Sequence, residues 1–508
     1  MLVKINSVAN VGLETVPVDV EVDVAEKGFP GFTIVGLASK AVEEARERVK
    51  TAITNSGFDV PPKKITVNLA PADLPKDGAA YDLPIAVGVL IASGQLELPP
   101  GNVYFYGELS LDGTLRPTRG ILLLALFAKQ KKHAVIFVPT PSAAEASVVS
   151  GVTVLPVKKL ADLVRHITGE KIIPPLPHVA YQNADDEAII DFDLREIAGQ
   201  EQAKRALIIA AAGGHNVLMW GPPGTGKTML ARALPGILPP LTDAEALEVT
   251  RIFSISGLLP SGVALIKKRS FRSPHHGVSA AGVIGGGTNP LPGEVSLAHL
   301  GVLFLDEMPE FPRSVLESLR QPMEDGEVEI VRVAGHVRYP ASFTLIAAIN
   351  PCPCGYLGHP RRECKCTDKQ IAKYRHRISG PILDRIDLTV NVAPVEVEKL
   401  SVTREHSGSL TSKEAKSSVI AARTIQEKRF AGTKLYTNSQ MHNREVKQFC
   451  QLTPEAENFL KLAAEKYDFS ARSYMRLIKV ARTIADLAAE KTILPVHMAE
   501  ALQYKQLT

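Results

Sequence analysis

Apolar and polar positions alternate in short runs along the first part of the chain. Residues 64–70 follow this pattern and are predicted to form a strand, whereas residues 120–132 have the pattern of a helix. Residues 103–111 lead into the turn pair at 112–113, Asp-Gly, which predicts a β-hairpin. The mixture predicts an α+β domain over residues 1–170.

The pattern changes at residues 171–190, which are rich in proline and then acidic, as expected of an interdomain linker. Over residues 191–395, short apolar runs alternate with helical segments, which predicts a buried parallel sheet. The strand patterns then stop, and residues 396–508 are predicted to form a helical domain. Two helix starts support it, the capping-box sequence at 411–414 and the Thr-Pro pair at 453–454.

Composition narrows the class of protein. The chain has 508 residues, enough for about three domains, and its 45% apolar and 22% charged content excludes wholesale disorder. A net charge of +4 is compatible with a polyanionic partner but does not predict one. Local clusters of positive charge, rather than the net charge, indicate such a partner. No window approaches the roughly 18 apolar residues of a membrane span, and the first residues lack the regions of a signal peptide. With five cysteines and no disulfide framework, we expect a soluble, cytoplasmic protein with no membrane partner.

The strongest motif is a phosphate-binding loop between an apolar run and a helical segment. It matches G-x-x-x-x-G-K-[ST] at every fixed position and consists of Gly221, Pro222, Pro223, Gly224, Thr225, Gly226, Lys227 and Thr228. Backbone N–H groups of such a loop turn towards phosphate oxygens, and the helix N-terminus adds positive charge. Lys227 is predicted to reach the β- and γ-phosphates of ATP, and Thr228 to hold Mg²⁺. The alternative, a plain glycine-rich turn, does not explain the order of strand, loop, lysine and helix.

Carboxylates and an amide end two further apolar runs. Asp306 follows the run at 302–305 and is predicted to join the Mg²⁺ shell, while Glu307 is predicted to orient and polarise the attacking water. Asn350 follows the run at 343–349 and could sit between Asp306 and the γ-phosphate. From these residues alone, an acidic turn and a turn asparagine remain alternatives.

Four of the five cysteines fall within residues 352–366. Cys352, Cys354, Cys364 and Cys366 form two C-x-C pairs separated by nine residues, in a loop without apolar periodicity. Four thiolates suit tetrahedral Zn²⁺, which would be structural here. C-x-C is tighter than the usual C-x₂-C, so an iron–sulfur cluster and unligated reduced cysteines remain alternatives.

These motifs resemble those of AAA+ ATPases of the magnesium-chelatase type, the clade that also holds the MCM helicases. More closely, the chain resembles the ComM/YifB family of magnesium-chelatase-like proteins, which is linked to natural competence in bacteria. Besides the motifs at 221–228 and 301–307, the resemblance rests on FRSPHH at 271–276, GGGTNPLPGEV at 285–295, LRQPMEDGE at 319–327, NPCPCG at 350–355 and ISGPILDRIDL at 378–388. It spans the whole chain.

The resemblance implies an α/β fold over residues 191–395, a P-loop AAA+ module with a helical C-terminal lid. It assigns Asn350 as the sensor-1 residue, Arg385 as an arginine finger that reaches the γ-phosphate held by a neighbouring subunit, and Arg472 as sensor 2 in the lid. Guanidinium groups stabilise the charge that develops during phosphoryl transfer. A finger supplied by a neighbour requires a head-to-tail ring, and the family's rings are homo-hexamers. From the residues alone, each arginine could instead form a surface ion pair.

The resemblance also implies two elements that face the pore of such a ring. One is a helix-2 insertion at about 251–298, and the other is a β-hairpin at 327–340, before the sensor-1 strand. Arg332, His336 and Arg338 lie near the turn of this hairpin and are expected to hold the DNA backbone. An ordinary surface hairpin with solvated charges is the alternative.

The N-terminal region resembles the proteolytic domain of Lon-type proteases (ribosomal protein S5 domain 2-like) in the sequences at 75–80 and 107–120. That family uses a Ser–Lys dyad, but the corresponding positions hold Ala80 and Leu122, which can neither attack nor deprotonate. We therefore expect a proteolytically inactive domain that serves as a scaffold or guides DNA.

Together these features predict an ATP-driven, hexameric DNA motor, a helicase or branch-migration translocase. Its substrates would be single-stranded and branched DNA in recombination intermediates during natural transformation, with recombination proteins as further partners. One alternative is a metal-insertion motor, although the sequence shows no integrin-type domain of the kind that chelatases use. Others are a protein-remodelling ATPase and a binding platform that uses ATP only as a switch.

Overall fold

A computed structural model describes three regions that follow one another along the chain. The residues it describes are 1–26, 29–36, 40–74, 76, 78–179, 192–287, 290–332, 335–359, 362–395 and 410–505. Within these ranges, no helix combines the length and the apolar character that are needed to cross a membrane.

The N-terminal domain combines strands and helices around one large sheet. Its strands are β1 (Leu2–Val11), β2 (Glu14–Val24), β3 (Gly31–Val35), β4 (Lys64–Ala70), β5 (Val103–Phe105), β6 (Glu108–Leu109), β7 (Leu115–Arg116), β8 (Val135–Pro139) and β9 (Thr153–Val157). Its helices are α1 (Lys40–Glu43), α2 (Ala45–Asn55), α3 (Asp82–Ala92), α4 (Ile121–Lys129), α5 (Ala143–Ala146) and α6 (Leu160–Ile167). The sheet has the order β3-β4-β2-β1-β5-β8-β9 and contains both parallel and antiparallel pairs.

The hairpin predicted at 103–111 is only partly present. β5 pairs in parallel with β1 and β8 inside the large sheet, and the hairpin is the shorter β6–β7 pair. Its turn is closed by the Ser110 N–H, which donates to the Thr114 carbonyl at 2.8 Å. The most apolar part of the predicted hairpin, β5, therefore lies inside the large sheet, where it has a neighbouring strand on each side.

Ala80 and Leu122 lie in a single buried apolar cluster, 6% and 0% exposed. The positions that correspond to the protease dyad are therefore packed rather than solvated. Part of the predicted linker also packs on this domain, because the Leu176 N–H donates to the Val154 carbonyl at 2.9 Å. Residues 180–190 of the linker lie outside the described residues.

The central region is built on a five-stranded parallel sheet. Its strands and helices are α7 (Glu201–Gly213), β10 (Val217–Trp220), α8 (Lys227–Ile237), α9 (Asp243–Ser256), β11 (Phe271–Arg272), α10 (Ala280–Ile284), β12 (Gly285–Gly286), β13 (Leu291–Pro292), α11 (Glu294–Leu297), β14 (Val302–Leu305), α12 (Arg313–Ser318), α13 (Arg320–Asp325), β15 (Glu327–Arg332), β16 (Gly335–Pro340), β17 (Thr344–Ile349), α14 (Asp368–Arg375), α15 (Gly380–Leu383) and β18 (Leu388–Asn391). The sheet order is β11-β14-β17-β10-β18, with every pair parallel. The predicted parallel sheet is therefore present.

The segment predicted as an insertion, at about 251–298, begins within a helix and includes the edge strand of the main sheet. Residues 251–256 belong to α9, and β11 is the edge strand of the main sheet, parallel to β14. The antiparallel pair of β12 and β13 lies between α10 and α11. A two-residue strand such as β11 is too short to show a hydrophobic period, so the sequence could not separate it from the loop.

The predicted hairpin at 327–340 is formed by β15 and β16. The two strands pair antiparallel from Glu327 opposite Pro340 to Arg332 opposite Gly335. Its two turn residues lie outside the described residues.

The C-terminal region contains five helices within residues 410–505. They are α16 (Ser412–Arg429), α17 (Asn443–Phe449), α18 (Pro454–Lys466), α19 (Ala471–Leu487) and α20 (Pro495–Gln503). Both predicted helix starts are confirmed, because the Thr411 and Thr453 side chains accept N-terminal N–H groups of α16 and α18. Buried residues of α16, α19 and α20 share one apolar core with α7, α8 and the main sheet. The helical region thus packs directly on the sheet domain, and its first residues, 396–409, lie outside the described residues.

The turn between β1 and β2 docks on the central region. The Leu13 carbonyl accepts from Arg251 Nη2 at 2.8 Å, and a Cβ added at Gly12 would lie 2.4 Å from Val337 Cγ1. Glycine is therefore needed at this turn, where the chain also has a φ of +60°. The N-terminal domain consequently touches both α9 and the hairpin strand β16.

Candidate nucleotide-binding and catalytic site

The loop 221–228 joins β10 to α8 at the carboxyl edge of the parallel sheet. The Gly221 N–H donates to the Ile349 carbonyl at 3.2 Å, and a Cβ at Gly221 would lie 2.1 Å from the Val392 carbonyl oxygen. Only glycine allows this close approach, which fixes the loop between β17 and β18. The structure thus holds the predicted phosphate-binding loop at the N-terminus of an eleven-residue helix, where anions bind favourably.

Lys227 and Asn350 meet at this loop. Lys227 Nζ donates to the carbonyls of Gly221 and Pro222 at 2.7 and 2.8 Å and to Asn350 Oδ1 at 3.3 Å. Burial lowers the pKa of the Lys227 ammonium, and the charges of nearby Asp306 and Glu307 oppose that shift. The site thus places a cation between the phosphate-binding loop and the end of β17.

Thr228 and Asp306 form the second part of the site. Thr228 Oγ1 donates to Asp306 Oδ2 at 3.0 Å, and the Glu307 N–H donates to Asp306 Oδ1 at 3.0 Å. Hydroxyl and carboxylate oxygens are the ligands that Mg²⁺ prefers. Together with the loop, Lys227 and the helix N-terminus, these donors fit a nucleotide with its Mg²⁺.

Glu307 has a backbone conformation that is unusual for a side chain of its size. Its φ is +50°, in the left-handed region, immediately after β14. The Glu307 side chain is exposed, whereas Met308 and Pro309 are buried. Strained conformations of this kind are maintained mostly at functional sites. Here the turn holds an exposed carboxylate beside the Thr228–Asp306 pair.

Arg385 and Arg472 meet at one carboxylate, Glu324. Arg385 Nη2 donates to Glu324, and its Nη1 donates to the Pro381 carbonyl at 2.7 Å. Arg472 Nη2 lies 3.6 Å from Glu324 Oε1. The hydrogen bond from Arg385 is the main cause that lowers the pKa of Glu324. Glu324 lies in the segment 319–327, which is part of the family resemblance, but the sequence indicates no role for it because its partners are distant in the chain.

Arg476, one helical turn after Arg472, is a second residue that sequence reasoning missed. Its Nη1 donates to the Ile386 and Leu383 carbonyls at 2.7 and 3.3 Å, and its Nη2 donates to Asp384 Oδ1 at 3.4 Å. These contacts attach α19 to the segment that carries Arg385. The helical spacing of α19 was visible in the sequence, but the carbonyl partners were not.

Gln200 was also missed. It has a φ of +60°, and its side-chain amide donates to the Ala393 carbonyl at 2.6 Å and to the Thr225 carbonyl at 3.4 Å. Gln200 therefore links the start of α7, the phosphate-binding loop and the chain that leaves β18.

The four clustered cysteines converge. Their sulfur atoms all lie within 4.8 Å of one another, and the Leu357 N–H donates to Cys352 Sγ at 3.3 Å. Backbone hydrogen bonds from Tyr356 and Lys365 lower the pKa of the Cys354 thiol to about 6, whereas burial and the neighbouring thiols raise the pKa values of Cys364 and Cys366. A closed set of four sulfur donors fits a structural metal ion.

The cysteine loop also touches the loop 221–228. Gly355 has a φ of +81°, and a Cβ there would lie 2.7 Å from Pro223 Cδ. Asn350 is two residues before Cys352 in the same segment. A metal in this loop would therefore support both the phosphate-binding loop and the residue predicted as sensor 1.

The cations predicted for DNA binding share an acidic neighbour on the hairpin. Arg338 Nε lies 3.3 Å from Glu329 Oε1, and His336 Nδ1 lies 3.8 Å from the same oxygen. His336 is the register partner of Val331, whereas Arg332 pairs with Gly335 one position nearer the tip. The structure thus brings His336 and Arg338 together. The side chain of Arg332 is not among the described parts of the chain.

Comparisons with known proteins cover nearly the whole chain. Three family models match, namely subunit ChlI of Mg-chelatase at residues 20–142, magnesium chelatase subunit ChlI at 193–400, and its C-terminal region at 409–505. The chain is 43% identical over 504 residues to competence protein ComM of Haemophilus influenzae, which covers 98% of this chain and 96% of that protein.

Two further relatives differ in how much of this chain they match. YifB of Escherichia coli is 43% identical over 505 residues, which cover 98% of this chain and 96% of that protein. The magnesium-chelatase 67 kDa subunit of Heliobacterium mobile is 30% identical over 194 residues, which cover 33% of this chain and 29% of that protein. The near-complete coverage at 43% identity establishes that the chain belongs to the ComM/YifB family of magnesium-chelatase-like AAA+ proteins.

Proposed function

We propose that this protein is an ATP-hydrolysing ring motor that moves DNA, as a helicase or branch-migration translocase acting on recombination intermediates. Membership in the AAA+ family implies ATP and Mg²⁺ as cofactors. The observation that carries the proposal is the pairing of Lys227 with Asn350 and of Thr228 with Asp306 at one sheet edge. The choice of DNA rests on the relative from Haemophilus influenzae, whose name is competence protein ComM.

The nucleotide, when bound with Mg²⁺, supplies a phosphoryl group whose charge must be stabilised during transfer to water. The loop N–H groups and Lys227 bind phosphate oxygens, and Thr228 and Asp306 hold the metal. Glu307 accepts a proton from the attacking water at its exposed carboxylate. Asn350, held beside Lys227, orients that water.

Arg385 and Arg472 are proposed to act on the site of a neighbouring copy. In the described parts of the chain, neither forms a hydrogen bond or ion pair with the loop 221–228 or Asp306, and both pair with Glu324. Glu324 would hold the two guanidinium groups until a neighbour's nucleotide replaces it. A finger that acts on the next copy requires head-to-tail contacts, which close into a ring. The family resemblance implies hexameric rings, so we propose a homo-hexamer.

The hairpin is proposed to contact the DNA backbone through Arg332, His336 and Arg338. Glu329 offsets part of the positive charge of Arg338, so binding should be moderate and sensitive to salt. One observation favours protein remodelling as a second candidate function: the apolar side chain of Val331, on the same hairpin, is 56% exposed. Such a side chain could instead grip an unfolded polypeptide.

We expect DNA to raise the steady-state rate of ATP hydrolysis, and the protein to move three- and four-stranded junctions. The assay compares single-stranded, duplex and branched DNA at low and moderate salt. Replacing Arg332 and Arg338 with alanine should weaken this stimulation without changing ATP binding, because phosphate contacts are lost. Lys461→Ala, which removes an exposed cation of α18, is the matched control. An ATPase rate that DNA never changes, with junctions left unmoved, would favour the protein-remodelling function.

We expect one zinc ion per chain at Cys352, Cys354, Cys364 and Cys366. Elemental analysis of the purified protein measures it, and iron with visible absorption would indicate an iron–sulfur cluster instead. Cys364→Ser should lose the metal and weaken ATP binding, because the loop packs on Pro223. Cys450→Ser is the control, since Cys450 is buried beside Met441. Metal-free protein that is folded and hydrolyses ATP normally would show that the cysteines are unligated.

A further inference from the structure

A short segment after Asn350, the residue predicted as sensor 1, is strongly basic. Residues 359–377 contain seven Lys or Arg and two acidic residues, a formal charge of +5, whereas the whole chain carries +4. The rest of the protein is therefore close to neutral. Clustering of this kind, rather than net charge, marks a surface for a polyanion.

The folded segment separates these charges from its apolar side. On α14, Tyr374 is buried and Ile371 is half-buried, while Lys369 and Lys373 are exposed. The two lysines lie one turn apart on the same side of the helix, where like charges repel and weaken it. The fold alone gives no reason to keep this pair.

Most of these cations lack a carboxylate partner. Within the described ranges, no ion pair is formed by Lys365, Lys369, Lys373 or Arg375, whereas Arg377 pairs with Glu310 at 2.6 Å. Arg362 donates to the Tyr356 hydroxyl at 2.7 Å, and its guanidinium carbon lies 5.1 Å from the centre of the Tyr356 ring. We define the basic surface as Arg362, Lys365, Lys369, Lys373 and Arg375.

The cysteine cluster fixes the position of this surface. Lys365 lies between two of the four cysteines, and Thr367, directly after the last of them, caps α14 through a capping box with Gln370. The loop and the helix are therefore held together as one unit. Cations fixed in this way lose less conformational freedom when they bind a ligand.

The chemistry of the surface favours nucleic acid over a protein partner. Between residues 332 and 419, no described large apolar side chain is exposed. Protein interfaces normally have an apolar or aromatic centre, whereas backbone phosphates are bound by cations without one. We propose that the basic surface binds the phosphate backbone of DNA, as a second contact away from the hairpin and independent of base sequence. This inference rests on the proposed function insofar as DNA is the partner.

The test measures binding of labelled single-stranded and duplex DNA to the full-length protein across a salt series. Lys369→Glu combined with Lys373→Glu should weaken binding at least tenfold and reduce the slope of log affinity against log salt by about two. Lys369→Arg with Lys373→Arg should retain binding. Lys434→Glu with Lys447→Glu makes the same charge change on exposed residues of the helical region and is the control. ATP hydrolysis without DNA should be unchanged in all four proteins.

Three outcomes overturn the inference. The charge-reversed variant combines Lys369→Glu with Lys373→Glu. If it and its control have the same affinity and the same slope of log affinity against log salt, DNA does not bind this surface, and the proposed function stands. If the reversed variant loses its oligomeric state, measured by sedimentation, the surface is a contact between copies. If the wild-type protein does not bind DNA at any salt, both this inference and the DNA motor fail.

Discussion

Glu307→Gln should leave ATP binding intact and slow hydrolysis by roughly 10²–10⁴-fold, the usual contribution of a general base. The amide has nearly the same shape as the carboxylate but cannot accept a proton from water. Glu307 is exposed and donates its backbone N–H to Asp306, so the substitution leaves the Thr228–Asp306 pair in place. Lys227→Ala should instead lose ATP binding, because it removes the cation held at the loop.

The two variants separate binding from chemistry in a single pair of measurements. Trp220, the one tryptophan of the chain, directly precedes Gly221 and is 39% exposed, so its fluorescence can report binding. Phosphate release reports hydrolysis. Glu310→Gln is the matched control, since Glu310 is an exposed neighbour paired with Arg377. Hydrolysis by Glu307→Gln at the wild-type rate would contradict its assignment as the base.

Local sequence patterns predicted the strands and the loop of this site, as well as helix starts in the C-terminal region. The strands β10, β14 and β17 are continuous apolar runs because both faces of the parallel sheet are covered. The loop 221–228 lies where the sequence predicts it, between β10 and α8, and two of its glycines, Gly224 and Gly226, have φ values of +78° and +90° that favour glycine. The helix starts at Thr411 and Thr453 are equally local, because an N-cap side chain bonds to an N–H three residues ahead.

Contacts between distant segments could not be predicted in this way. Arg385 meets Glu324 from 61 positions away, and Arg476 reaches the Ile386 carbonyl from 90 positions away. Nothing in the neighbourhood of Glu324 distinguishes it from any other exposed acid. The short strand β11 was missed for a related reason, since its pairing with β14 defines it and its own two residues carry no pattern.

Arg385, which meets Arg472 at Glu324, is the residue whose replacement should have the second large effect on ATP hydrolysis. Arg385→Ala should bind ATP normally and hydrolyse it roughly 10³–10⁵-fold more slowly, as is typical when an arginine finger is removed. Phosphate release measures the rate, and Trp220 fluorescence verifies binding. Arg377→Ala, which removes a nearby exposed arginine paired with Glu310, is the control and should remain active.

Mixing Arg385→Ala with Lys227→Ala subunits tests whether the finger acts on a neighbour. The Arg385→Ala subunit keeps an intact phosphate-binding loop, and the Lys227→Ala subunit keeps an intact arginine. Some contacts between neighbours in a mixed ring therefore combine the intact loop of one subunit with the intact arginine of the next. In a head-to-tail ring assembled at random from equal amounts, about a quarter of the contacts are of this kind. Turnover should therefore return to about that fraction of the wild-type rate if the sites act independently. Mixed rings, verified by differently tagged subunits, that never exceed the separate variants would place the action of Arg385 within its own chain.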